Sequence, residues 1–167
     1  MMRRLWAPWR EKYISGLRKK SSACIFCRML RQNRDAKNYI FARRKHAFAV
    51  LNLYPYNNGH ILIVPNKHVK DFKQLSKEEK LGLLELFEDA KEMVGKILKP
   101  HGYNIGINLG RVAGAGFPGH LHVHVVPRWG GDVNFMPVIG NTKVVSQSLQ
   151  TLCQKLKACA RAKKSKN

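Results

Sequence analysis

Apolar residues recur along the chain with two different periods, and the change of period marks out the elements. Over 76–99 the period is helical: Leu83, Leu86, Phe87, Ala90, Val94, Ile97 and Leu98 fall on one side of a 3.6-residue repeat. Ser76 with Glu79 forms a capping box at its start, and Pro100 stops it. Elsewhere the apolar runs are short, β-branched and bounded by turn residues. Residues 39–43 and 46–52 read as two strands joined by Arg44-Lys45, 60–64 as a strand stopped by Pro65, and 102–108 as another. The stretch 53–59, Leu-Tyr-Pro-Tyr-Asn-Asn-Gly, is a turn, and 110–119 is a loop with four glycines. Residues 120–126 alternate strictly, as a strand stopped by Pro127. Residues 21–27 read as a loop, 28–34 as a short helix and 143–161 as a C-terminal helix. Successive strands with short connections predict an α+β domain: an antiparallel β-meander with one long helix and a C-terminal helix. The boundaries follow: a basic, Trp-containing extension over 1–23, the folded domain over 24–137, and the C-terminal helix with a Lys-rich tail over 138–167.

Composition narrows the class. The chain has 167 residues, 44% hydrophobic and 25% charged, the balance of a globular domain. No run of about 18 apolar residues is present, so no membrane-spanning helix is expected. Residues 1–10 are basic but lack an apolar stretch, so they do not read as a secretory signal, and the expected location is the cytoplasm. The net charge of +21 sits mainly at the ends: residues 1–45 hold 14 Lys/Arg against 2 Asp/Glu, and 153–167 hold 6 against none. Such a field attracts polyanions and leaves nucleotide and polynucleotide both open. No RNA-recognition motif or basic-aromatic stripe accompanies it, so nucleic acid is the less favoured partner. Cys153 and Cys159 are helix filling. Cys24 and Cys27 form a C-x-x-C pair, a candidate for metal or redox chemistry, or simply free thiols.

The chemistry concentrates in His120-Leu121-His122-Val123-His124-Val125-Val126. On a strand, alternate residues share a face, so three imidazoles project together while Leu121, Val123 and Val125 point into a core. Three such histidines can be core residues, a metal site, or a nucleophile for phosphorus with its helpers. A neutral imidazole is nucleophilic near pH 7, provided a fixed acceptor holds the proton on its other nitrogen. The glycine loop upstream, including Gly114 and Gly116, lets backbone N–H groups converge on an anion.

These residues resemble the histidine-triad family, whose signature is His-φ-His-φ-His-φ-φ. The likeness extends over about 24–137 through Phe48-Ala49-Val50-Leu51-Asn52, Gly59-His60-Ile61-Leu62-Ile63-Val64-Pro65 and Asn104-Ile105-Gly106-Ile107-Asn108. Leu5-Trp6-Ala7-Pro8-Trp9-Arg10, Cys24-Ile25-Phe26-Cys27 and the run 126–135 resemble the branch of diadenosine-polyphosphate hydrolases and diadenosine tetraphosphate phosphorylases. The resemblance implies a histidine-triad fold, a homodimer, and cleavage of a dinucleoside polyphosphate at the α-phosphate. It implies His122 as the nucleophile, His124 on phosphate oxygens, and His60 supporting the nucleophile's orientation. Asn52 would bind ribose, Asn108 phosphate or ribose, and Leu51 and Ile25 the adenine. Fragile-histidine-triad hydrolases carry a Gln four residues before the first histidine; here that residue is Gly116, which leaves room for phosphate instead of water as acceptor. Zinc-bearing relatives imply a structural Zn²⁺ on Cys24, Cys27, His68 and His120, and Mg²⁺ is expected only with the substrate polyphosphate. Relatives that remove AMP from DNA ends carry an extra zinc finger that this sequence lacks.

Overall fold

The computed structural model describes residues 24–132 and 147–164. The expectations for 1–23, with Trp6 and Trp9, and for 133–146 lie outside these residues. The elements in order are α1 (Ile25–Gln32), β1 (Ile40–Arg43), β2 (Ala47–Leu51), β3 (Ile61–Pro65), a 3₁₀ turn (Phe72–Gln74), α2 (Lys77–Leu98), β4 (Gly102–Gly106), β5 (Val123–Arg128) and α3 (Leu149–Lys164). The five strands form one antiparallel sheet in the order β1-β2-β3-β5-β4. It is therefore not a simple meander. The fifth strand slots between the third and the fourth, which puts the histidine strand near the middle and leaves β4 at an edge.

The sheet separates two cores. β2 and β3 are buried at every position, so both faces need a cover. One face carries Ala49, Leu51, Ile61, Ile63, Val123 and Val125 against α2 and α3; the other carries Ile40, Phe48, Val50, Leu62 and Val64 against Phe26 and Met29 of α1. α2 begins as the sequence predicts: the Ser76 hydroxyl accepts from the Glu79 amide while the Glu79 carboxylate accepts from the Ser76 amide. Its buried face adds Met93 to the expected set, and Lys99 closes the helix in the left-handed conformation just before Pro100.

The helix expected at 28–34 begins three residues earlier, at Ile25, so Cys27 lies in its first turn and not in a loop. The reason is packing: Phe26 and Met29, three apart, bury one helical stripe on the sheet. Pro65 is the last residue of β3, but β5 runs past Pro127 to Arg128, which pairs with Gly102: a proline's fixed φ suits extended chain and its carbonyl still accepts, here from Asn57.

Gly59 must be glycine on two counts. Its φ is +72°, and an added Cβ would lie 2.3 Å from Leu98 Cδ1 and 3.2 Å from Pro127 Cγ. Gly59→Ala is expected to destabilise by about 1–2 kcal/mol and, because His60 is the next residue, to lower turnover as well. Urea unfolding with the same midpoint as the parent would contradict this.

Candidate active site and metal centre

The geometry begins where β5 leaves the ladder. β3 and β5 pair from Ile63↔Val123 to Ile61↔Val125. Upstream of that, the Leu121 amide donates to the Val69 carbonyl at 2.6 Å, so residues 120–122 leave the ladder and the strand starts later than expected. Alternation still holds. Leu121, Val123 and Val125 enter the core under α2 and α3, as the pattern predicts. On the other face the rings of His120 and His122 meet Phe26 at centroid distances of 5.3 and 5.2 Å, and His124 stacks on Tyr56 at 5.7 Å and 12°.

Each of the first two imidazoles has its proton placed by a carbonyl. The His120 ring donates from Nε2 to the Pro65 carbonyl at 2.9 Å, which bares Nδ1. The His122 ring donates from Nδ1 to the His120 carbonyl at 2.8 Å, which bares Nε2. His122 is 6% exposed, and this burial holds its pKa below the ordinary imidazole range, against the opposite pull of the carbonyl bond. The ring therefore stays neutral at physiological pH with a lone pair available. His124 lies 4.9 Å away, ring to ring, and burial followed by the charge of His122 pushes its pKa down to about 4. His124 Nε2 is buried and has no partner. His60, 1% exposed, places Nε2 2.9 Å from His124 Nδ1. It thus meets the third histidine of the motif directly and reaches the second through it.

A pH dependence follows. The unfolded chain protonates His124 near pH 6.5 and the folded chain only near 4. Its contribution is full above 6.5 and lost as pH falls toward 4, at most about 3 kcal/mol. Urea unfolding from pH 7 to 4 should decline less steeply in His124→Gln; parallel curves for parent and variant would sink this assignment.

Around α1 a second group assembles. Cys24 Sγ, Cys27 Sγ, His68 Nδ1 and His120 Nδ1 all lie within 4.8 Å of one another. Cys24 Sγ lies 3.3 Å from His120 Nδ1, Cys27 Sγ 3.3 Å from His68 Nδ1 and 3.7 Å from His120 Nδ1, and the two imidazole nitrogens stand 3.2 Å apart. A tetrahedral ion with Zn–S about 2.3 Å and Zn–N about 2.0 Å spaces its donors roughly 3.3–3.8 Å apart. The His120–Pro65 bond presents the ligating nitrogen bare, as an outer-shell contact should. The residues present fit such an ion.

The remaining expectations divide. Asn52 sits beside His60, with Nδ2 3.2 Å from His60 Nδ1 and Oδ1 accepting from the Tyr54 amide. Asn108 donates to the Gly114 carbonyl at 3.5 Å, and Gly114 has φ +86° in the loop that ends on Phe117, whose ring meets Phe26 at 6.0 Å. Gly114 and Gly116 are both half-buried in that loop. The Gly114 and Ala115 amides are used inside the loop, on Arg111 and Gly110. Leu51 is corrected: it is 1% exposed and packs in the core under α2 and α3, across the sheet from the histidines, so it cannot touch a nucleotide there. Ile25 packs on the histidine side. Sequence reasoning missed Tyr56, which lay inside a turn signal, and Asp132. The Asp132 carboxylate accepts from Arg128 Nε at 2.6 Å, Asn57 Nδ2 at 2.7 Å and the Trp129 amide at 3.1 Å, and the Arg128 guanidinium holds its pKa down to about 2.

Comparison with known proteins agrees with this geometry. A family model described as the HIT domain matches residues 33–131. The chain belongs to the HIT, or histidine-triad, family. Among its relatives, an AP-4-A phosphorylase of Mycobacterium tuberculosis is 41% identical over 156 residues, covering 89% of this chain and 80% of that protein. An asymmetrical bis(5'-nucleosyl)-tetraphosphatase of Schizosaccharomyces pombe is 35% identical over 89 residues, 53% of this chain and 48% of that protein. In fold, the chain matches the crystal structure of a zinc-bound histidine triad family protein from Mycobacterium smegmatis with a TM-score of 0.69 at 24% identity, covering 89% of this chain and all of that one.

Proposed function

We propose that the protein is a histidine-triad nucleotidyl hydrolase or transferase that cleaves dinucleoside polyphosphates at the α-phosphate, and specifically that it is a diadenosine tetraphosphate phosphorylase. One observation carries the chemistry: the His120 carbonyl fixes the proton of His122 on Nδ1, leaving a neutral, bare Nε2 on the face opposite α2 and α3. In the first step that lone pair attacks the α-phosphorus in line, the bond to the bridging oxygen breaks, and ATP leaves. In the second, an oxygen of inorganic phosphate attacks the same phosphorus, the P–N bond breaks, and ADP forms. His124 meets the phosphate oxygens, Asn52 and Asn108 serve the ribose and phosphate, Gly114 and Gly116 bring the loop close, and Ile25 lies toward the base. Phosphate as acceptor is favoured by Gly116 standing where hydrolases of the family carry Gln, and by the 41% identity to the mycobacterial phosphorylase.

Cys24, Cys27, His68 and His120 hold a structural Zn²⁺, a closed four-donor set whose chemistry is to fix α1 and the first histidine. It is the only such group among the described residues; Mg²⁺ is proposed only as a companion of the substrate polyphosphate. Two copies pair through β4, whose outer edge has no strand beside it among the described residues, which carries exposed Ile105 and which leads into exposed Ile107 and Leu109. No described helix is long and apolar enough to cross a membrane, and we assign the enzyme to the cytoplasm, where its thiols stay reduced.

Incubation with diadenosine tetraphosphate, with and without phosphate, tests the reading. ATP plus ADP only in the presence of phosphate is the expected result. ATP plus AMP without phosphate would make water the acceptor, and no cleavage at all would end the proposal.

A further inference from the structure

The third histidine of the motif is a half-buried ring with one nitrogen that nothing in the protein satisfies. His124 Nε2 is fully covered and partnerless, while its Nδ1 faces His60 Nε2 at 2.9 Å. Which of these two rings carries the shared proton decides what His124 can offer a ligand. The answer is set further back. His60 Nδ1 receives the main-chain amide of Tyr56 at 3.0 Å and the side-chain Nδ2 of Asn52 at 3.2 Å. The orientation of the Asn52 amide is itself determined, because its Oδ1 accepts the Tyr54 main-chain amide at 3.0 Å. Two donors converge on His60 Nδ1, so that nitrogen is bare and the His60 proton resides on Nε2. It is given to His124 Nδ1, and the His124 proton must then reside on Nε2.

We infer that the main-chain amide of Tyr56, acting with Asn52 and through His60, fixes His124 in the Nε2–H tautomer, so that this nitrogen is a committed hydrogen-bond donor to a phosphate oxygen of the substrate. This rests on the reading that His124 faces the phosphates. Tyr56, Asn52 and His60 are positioning residues in this relay. The neighbouring tautomers are complementary: His122 shows the substrate a bare nitrogen by donating to a carbonyl, and His124 shows it a proton by accepting from His60. An amide cannot lose or invert its proton, so it makes a fixed end for the relay, where a side chain could flip. The turn that carries the amide is itself pinned: Asn57 Nδ2 donates to Asp132 at 2.7 Å and to the Pro127 carbonyl at 3.1 Å. The Tyr56 ring, stacked on His124 at 5.7 Å, keeps the two imidazoles in register.

The test reads the tautomer directly. Long-range ¹H–¹⁵N correlation spectra of the ¹⁵N-histidine-labelled full-length chain, without substrate, distinguish protonated from bare ring nitrogens, and loss of one set in His124→Gln assigns the ring. Wild-type protein is expected to show His124 protonated on Nε2; protonation on Nδ1 would overturn the inference outright. His60→Glu replaces the donor with an acceptor and is expected to move the His124 proton to Nδ1, with kcat for diadenosine tetraphosphate falling about 10²-fold. His60→Gln, whose amide donates at the same point, should keep the Nε2–H form and regain at least about tenfold in kcat over His60→Glu. Retention of Nε2–H in folded His60→Glu would also overturn it. The spectra need no turnover: the expected tautomer in a chain that cleaves no nucleotide would count against the proposed function and leave this relay standing.

Discussion

Replacing His122 by alanine or glycine is expected to lower nucleotidyl transfer by at least about 10⁴-fold while the fold survives. No neighbouring group can take over. His120 has its Nε2 on the Pro65 carbonyl and its Nδ1 in the Cys/His group, and His124 has Nδ1 on His60. The loss should fall on kcat, since the ring's role is to form a bond and not to hold the substrate. Trapping makes the result decisive. Acid quench of the parent enzyme with α-³²P-labelled diadenosine tetraphosphate, then digestion, should place the label on the peptide spanning 120–126. Label elsewhere, or full activity in His122→Ala, refutes the nucleophile.

The second large effect concerns the Zn²⁺ proposed at Cys24, Cys27, His68 and His120. Stripping it by chelation, or replacing Cys27 by serine, is expected to cost several kcal/mol, seen as a fall in Tm of about 10 °C or more in a domain this size. Without a cation, the bare His120 Nδ1 faces His68 Nδ1 at 3.2 Å beside two sulfurs, with His120 2% exposed and cut off from water. Metal analysis should find about one zinc per chain. A melting temperature unmoved by removal of the metal would withdraw the structural role. Turnover should fall too, because the carbonyl that orients His122 belongs to His120, one of the four proposed ligands.

How far the sequence reached can be followed residue by residue. α2 was legible in full because its stripe and its Ser76–Glu79 box are local, and local signals survive without tertiary knowledge. The direction of Leu121, Val123 and Val125 was legible for the same reason. Leu51 was not. All of β2 is buried, so apolar character cannot say which face a residue takes; only pairing with β3 decides, and it sends Leu51 away from the histidines while Phe48 and Val50 share their side. Cys27 was read as loop because its helix is short and held by Phe26 and Met29 against the sheet, a tertiary cause. The strand order escaped because β5 pairs with β3 across a whole helix and strand. Asp132 and Tyr56 each combine local partners with one brought near only by folding, Asn57 for the first and His124 for the second.

The sheet's two faces, one under α2 and α3 and the other carrying the histidines beside α1, have a consequence for natural variation. Changes at Leu86, Val94 or Leu156, each with essentially no exposure, alter how much protein a cell accumulates and leave the specific activity of what remains intact. Changes at Tyr56, exposed beside His60 and His124, would by contrast leave normal amounts of a sluggish enzyme. An assay of abundance and an assay of rate would thus separate alleles that strike either buried core from those that strike the exposed surround of the histidines.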